Sequence, residues 1–180
     1  MESTFTNKIK SLNNVDKIIS MNYFNKFEAV TNLLEIVLSK KKLIRNGFGN
    51  YNAKVVIVVE FNNTSDPIID LIKKYYSKNN RNFYSIYITP LSKFEDKAID
   101  IKVLMKELQL INPKRIISLG IDLPNASSSL STEDLNEIKQ YLKDKSNETT
   151  TKFENARDNL VKCIAFAMNG DLAEGVKNDN

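Results

Sequence analysis

The sequence contains no histidine and no tryptophan, and its 180 residues include one cysteine, four prolines and five glycines. Each shortage removes a class of chemistry. Without an imidazole there is no Ser-His-Asp or Cys-His nucleophile system. Cys163 stands alone, so an intrachain disulfide is excluded and zinc sites of the Cys/His type lack ligands. Neither the Gly-x-Gly-x-x-Gly fingerprint nor a Walker-type phosphate loop occurs, which takes away the usual marks of dinucleotide and NTP binding. No apolar run approaches the roughly 18 residues of a membrane span, and the Asn-rich, mixed-charge N-terminus does not look like a secretion signal. The expectation is a cytoplasmic protein with no membrane segment, no metal and no cofactor.

What is present suffices for a real core, since 42% of the residues are hydrophobic. Lys, Asn and Ile contribute 22, 23 and 19 residues. That bias reflects an A/T-rich coding background, as in many bacteriophages and low-GC bacteria, so single lysines and asparagines carry little functional weight. The net charge of +4 is unevenly spread. Residues 1–120 hold 19 basic and 11 acidic side chains, whereas residues 121–180 hold 7 and 11. A polyanion would be drawn to the first part and repelled by the second.

Hydrophobic periodicity predicts one α/β domain over residues 1–170, with an N-terminal helical region (1–50), a strand-helix core (51–120), a C-terminal helical region (130–170) and a flexible tail (171–180). Phe27, Val30, Leu34, Val37 and Leu38 lie on one stripe of a helix between Asn22 and Lys42, with Lys40, Lys41 and Lys42 in its last turn. Three apolar strands follow: Lys54–Glu60, Phe83–Thr89 and Arg115–Leu119. The first has no polar alternation, which marks a strand covered on both faces. Asp66-Pro67 opens one intervening helix and the segment from Asp96 to Leu110 forms the other. The alternation implies a three-layer α/β/α sandwich around a small parallel sheet of three to four strands. Ser131-Thr-Glu-Asp134 reads as a capping box for a further helix. After the polar linker 146–151, residues Phe153, Ala156, Leu160, Ile164 and Ala167 recur at helical spacing, with Gly170 placed to end the helix. Residues 161–168 would also suit a fourth strand.

Ligands of an open parallel sheet bind where the strands' carboxyl ends gather their loops. The candidate pocket is therefore Glu60, Phe61, Asn62, Asn63, Thr89, Pro90 and Gly120, with Asp122 as a loop acid. Glu60 follows five apolar strand residues and could act as a base, or could accept hydrogen bonds from loop amides. Phe61 could stack on a nucleobase or cap the core. Tyr75, Tyr76, Phe83, Tyr84 and Tyr87 read mostly as core or rim, and Cys163 as a buried small hydrophobe.

Leu108-Gln-Leu-Ile-Asn-Pro-Lys-Arg-Ile-Ile-Ser-Leu-Gly120 resembles the helix, "Pro-Lys/Arg", apolar strand and "Leu-Gly" passage of the uracil-DNA glycosylase superfamily. Tyr87-Ile-Thr89 is similar to that family's "Tyr-Ile-Thr-Asn" strand, and Val58-Val-Glu-Phe-Asn-Asn63 occupies the place of its "Gly-Glu-Ala-Pro-Gly" water-activating loop. The resemblance covers roughly residues 53–120. Carried over residue by residue, only Glu60 of that loop matches. Val59 and Asn63 replace its glycines, Asn62 its proline, and Pro90 the uracil-reading asparagine. The family's His-Pro-Ser type motif and the cysteine ligands of its cluster-bearing branches have no counterpart. Losing one preorganised stabiliser costs on the order of 3–4 kcal/mol of transition-state energy. The resemblance therefore implies a scaffold without base excision that binds DNA, single-stranded DNA included, or a replication or repair protein. A divergent glycosylase or nucleotide-processing enzyme using Glu60 with Asn62, Asn63 and Thr89, and a purely structural interaction module, are the competing expectations.

Overall fold

The computed structural model describes residues 14–144 and 148–172. Helix α1 spans Asn14–Leu38 and is followed by strands β1 (Phe48–Gly49) and β2 (Val55–Val59) and helix α2 (Pro67–Lys78). A short 3₁₀ turn at Phe83–Ser85 leads into β3 (Tyr87–Thr89), α3 (Lys97–Ile111) and β4 (Arg115–Leu119). The chain then forms β5 (Ser128–Leu130), α4 (Thr132–Lys143) and α5 (Thr151–Leu172). The sheet has five strands in the order β1-β3-β2-β4-β5. All neighbours are parallel except the β1–β3 edge pair.

The α/β/α sandwich follows from the unbroken apolar run of β2, which is buried at every position. Side chains alternate across a strand, so Val55, Ile57 and Val59 join the core formed with α2, α4 and α5. Val56 and Val58 join the opposite core, formed with α1 and α3. Helix starts follow local rules. The Asp66 carboxylate accepts from Ile68 N ahead of Pro67, Asp96 accepts from Ile99 N, and Ser131 Oγ accepts from Asp134 N at 3.1 Å.

Several expectations need correction. The sheet has five strands rather than three or four, because Phe48–Gly49 and Ser128–Leu130 also pair. Such two- and three-residue strands are held by sheet edges already formed and carry no periodicity of their own. The second strand begins at Tyr87, not Phe83, since Asn82 Oδ1 takes Tyr84 N and turns the chain into a 3₁₀ helix. Helix α1 ends at Leu38, before the three lysines, where Lys40 N and Lys41 N both turn back to Val37 O. Its buried stripe is Val30 and Leu34, while Phe27 and Leu38 are exposed. Residues 161–168 are helical, as the spacing from Phe153 to Ala167 predicts, but α5 continues through Gly170, its expected end, to Leu172. Residues 1–13 of the N-terminal region, residues 146 and 147 of the linker and residues 173–180 of the expected tail lie outside the described residues.

A buried polar cluster crosses the α1/α3 side of the sheet. Lys93 and Glu107 are 0% and 1% exposed and pair at 2.9 Å. Glu107 also accepts from Tyr87 Oη at 2.7 Å and Thr89 Oγ1 at 2.9 Å. The Lys93 ammonium donates to Pro90 O as well. Burial, then the facing Glu107 carboxylate, pushes the Tyr87 hydroxyl far above its ordinary pKa, so it serves as a donor. Removing one partner of a buried pair strands the other charge. We expect Glu107→Leu to lower the unfolding free energy by about 3–5 kcal/mol in urea titrations. Lys93→Met should cost less, because Glu107 keeps two hydroxyl donors; the reverse order would refute this account of the pair.

Candidate functional site

The strand order reverses at β2, whose successor β3 lies on one side and β4 on the other. In such sheets the crevice beyond the carboxyl ends is the usual ligand site. A cavity of about 470 Å³ opens there, and its polar lining includes Arg45, Glu60, Asp66, Lys139 and Lys143. Lys139 and Lys143 also border an adjoining depression along α4.

Each charged group in the lining has a defined support. Glu60 Oε1 accepts the Ser92 amide at 2.8 Å, tying the loop after β2 to the loop after β3. Arg45 Nε donates to Ser92 O at 3.2 Å, while Ile44 N and Arg45 N both donate to Lys93 O. Lys139 Nζ reaches Glu60 O at 3.3 Å. Asp66 is committed at both oxygens, to Ile68 N and to Asn62 N, so the start of α2 already carries its own carboxylate. The lining therefore holds three cations and two carboxylates, of which Asp66 is internally satisfied.

Of the residues singled out in the sequence, Glu60, Phe61 and Asn62 line this cavity. Phe61 is 5% exposed and packs edge-on against Phe48 with centroids 5.7 Å apart, so its ring belongs to the core. Asn63 is turned into its own loop, where its Oδ1 accepts from Ser65 N and Ser65 Oγ. Thr89 and Pro90 are buried and spend their polar atoms on Glu107 and Lys93. Gly120 has φ +73°, donates to Leu130 O and accepts from Thr132 Oγ1. A Cβ there would strike Leu135, so the glycine serves a close helix-sheet approach. Asp122 is exposed.

Sequence reasoning missed Arg45, Lys139 and Lys143. A signal existed for the last two, four residues apart on the helix whose buried positions are Leu135 and Ile138. Two of the three cations thus come from the acidic end of the chain. Meanwhile several cations of the basic part are occupied elsewhere. Lys26 caps Ile111 O, Lys41 pairs with Asp96 at 3.4 Å, and Arg115 lies 4.2 Å over the Phe166 ring.

Other candidate groups are structural. Tyr76, Phe83 and Tyr87 are buried, while Tyr84 is 63% exposed and has the Lys73 ammonium 5.3 Å from its ring. Burial pushes the Cys163 thiol above its ordinary pKa, and its Sγ accepts from Ser128 Oγ at 3.5 Å. Among the described residues there is no group of three or more His, Cys, Asp or Glu suited to a metal. Nor is any helix among them long and apolar enough to cross a membrane.

No family model matches the sequence, and the comparison with curated proteins finds no match either.

The burial of Phe61 has a measurable consequence. Phe61→Ala should cost about 3–5 kcal/mol of stability, as for a core aromatic. Asn62→Ala, at an exposed side chain beside it, should stay within about 0.5 kcal/mol. A near-neutral Phe61→Ala in urea unfolding would mean that the ring is free to contact a ligand.

Proposed function

We propose that this chain is a non-catalytic protein of glycosylase-like scaffold, acting in the cytoplasm, that binds DNA, single-stranded DNA included, or a DNA replication or repair partner at the carboxyl edge of its sheet. The observation that carries this reading is the cavity bordered by Arg45, Lys139 and Lys143, with the neighbouring Glu60 carboxylate engaged by the Ser92 amide. Lysines and arginine at a groove suit a phosphate backbone, which rewards cations wherever they can displace its counterions.

Several features favour binding over base excision. The Glu60 oxygen held by Ser92 N positions a loop, and its neighbour Phe61 is spent on the core. Where the resembling family reads uracil with an asparagine, Pro90 offers no amide, and its carbonyl is taken by the Lys93 ammonium. No histidine exists anywhere in the chain to stabilise a developing base anion. With those groups absent together, the remaining scaffold supplies little transition-state stabilisation.

Fluorescence anisotropy with a labelled single-stranded oligonucleotide tests the binding. Affinity should fall steeply with salt, and Lys139→Gln/Lys143→Gln should flatten the log-log slope by roughly 1.5. Absence of oligonucleotide retention at low salt would remove the DNA-binding version. Incubation with uracil-containing single-stranded DNA should leave no abasic sites; uracil release that Glu60→Gln abolishes would overturn the non-catalytic assignment.

A further inference from the structure

The opposite edge of the sheet holds a second cavity, of about 360 Å³, formed by the segments that precede β2 and β3. Its lining consists of Lys54, Arg81, four asparagines and Ser85, without a single carboxylate. In a chain with 22 acidic residues, a polar cavity lined only by cations, carboxamides and a hydroxyl is selective for negative charge.

Two of the four carboxamides are oriented. Asn50 Oδ1 accepts Asn52 N at 2.8 Å, and Asn82 Oδ1 accepts Tyr84 N at 3.0 Å. A backbone N–H can be met only by the oxygen end of an amide, so these bonds fix which end is which. The oxygens are spent on the protein's own turns and the Nδ2 groups remain as donors. Ser85 Oγ donates to Asn82 O at 2.7 Å, which fastens the same turn. Arg81 is half-buried, its amide is anchored to Tyr76 O at 2.9 Å, and its guanidinium makes no hydrogen bond or ion pair among the described residues. A planar guanidinium with no such partner among the described residues, in the same lining as these amides, matches the oxygens of a phosphate or phosphomonoester.

We propose that this amino-edge cavity binds the phosphate group of a small phosphorylated metabolite of about sugar-phosphate size, with Arg81 as the principal anion ligand and the Nδ2 groups of Asn50 and Asn82 as supporting donors. The volume lies near the lower end of the roughly 300–1,000 Å³ range of small-ligand sites, which favours a compact molecule over a polymer. The site is separate from the carboxyl-edge groove and shares no lining residue with it.

Titration of the full chain with ribose phosphate, inorganic phosphate, ribose and a single-stranded oligonucleotide, followed by the side-chain NMR resonances of Arg81, Asn50 and Asn82, tests this site. Ribose phosphate should shift all three saturably, inorganic phosphate should do so more weakly, and ribose should do nothing. Arg81→Gln, at an unchanged melting temperature, should weaken ribose phosphate roughly tenfold or more, the weight of a charge-assisted hydrogen bond. Lys139→Gln/Lys143→Gln should leave it unaltered, so that failure of the groove and failure of this cavity are told apart. Three outcomes would overturn the proposal: non-saturating shifts scattered over surface lysines, equal binding by Arg81→Gln, or an oligonucleotide that moves these resonances at lower concentration than ribose phosphate, which would assign the cavity to a nucleic-acid strand.

Discussion

An ammonium and a carboxylate taken together out of water hold the carboxyl edge of this sheet in place. Lys93 and Glu107 are both buried, so each depends on the other and on the polar atoms gathered around them. Desolvating such charges costs several kcal/mol per ion unless the geometry is well satisfied. Here Tyr87 and Thr89 on β3 and the Pro90 carbonyl complete the shell. The Asp100 carboxylate then accepts three backbone N–H groups of the same loop, those of Lys93, Phe94 and Asp96. The loop after β3 is therefore pinned from inside the protein and from the first turn of α3.

That pinned loop sets the groove. Its Ser92 amide holds Glu60, its Ser92 carbonyl holds the Arg45 side chain, and its Lys93 carbonyl holds the backbone of residues 44 and 45. The buried pair and Asp100 thus fix the loop that holds the Glu60 carboxylate and the Arg45 side chain. The pocket candidates at the end of β3, Thr89 and the following Pro90, belong to this support rather than to the cavity surface. Building a groove on rigid elements in this way suits positioning of a ligand's charge.

The amino edge is organised by a different device. There the turns before β2 and β3 are closed by asparagine side chains whose oxygens cap backbone amides. The two edges thus present contrasting chemistry. One mixes cations with carboxylates and apolar side chains, and the other offers cations, carboxamides and a serine hydroxyl. Asparagines that reflect coding bias as a population are specific where a backbone N–H needs an acceptor.

The main elements were legible because their signals are local. The apolar run at 55–59 has to be covered on both sides, Asp66-Pro67 and Ser131 start helices through hydrogen bonds to nearby amides, and Arg115–Leu119 is bounded by Pro113 and Gly120. Glu60 as an acceptor of a loop amide was likewise foreseeable from its place after β2. Which side chains meet at the groove was not, because Arg45, Glu60 and Lys139 are far apart in the chain and converge only once the sheet has formed. The charge split between the two parts of the sequence did not carry over to the faces of the protein, since helix packing brings Lys139 and Lys143 to Glu60 and sends Arg115 over Phe166. A trace of the buried pair did exist, in Glu107 standing among Val103, Leu104, Leu108 and Ile111 on the apolar side of α3. The layers, the starts of α2, α3 and α4 and the absence of imidazole chemistry can be read from the chain alone, because each is set by residue identity and near neighbours, whereas α1 begins at Asn14 rather than at Asn22. The burial of Phe61 and Thr89, the pairing of Lys93 with Glu107 and the lack of a hydrogen-bond or ion-pair partner for the Arg81 guanidinium among the described residues come from packing across the sheet, because they are properties of contacts that no short stretch of chain contains.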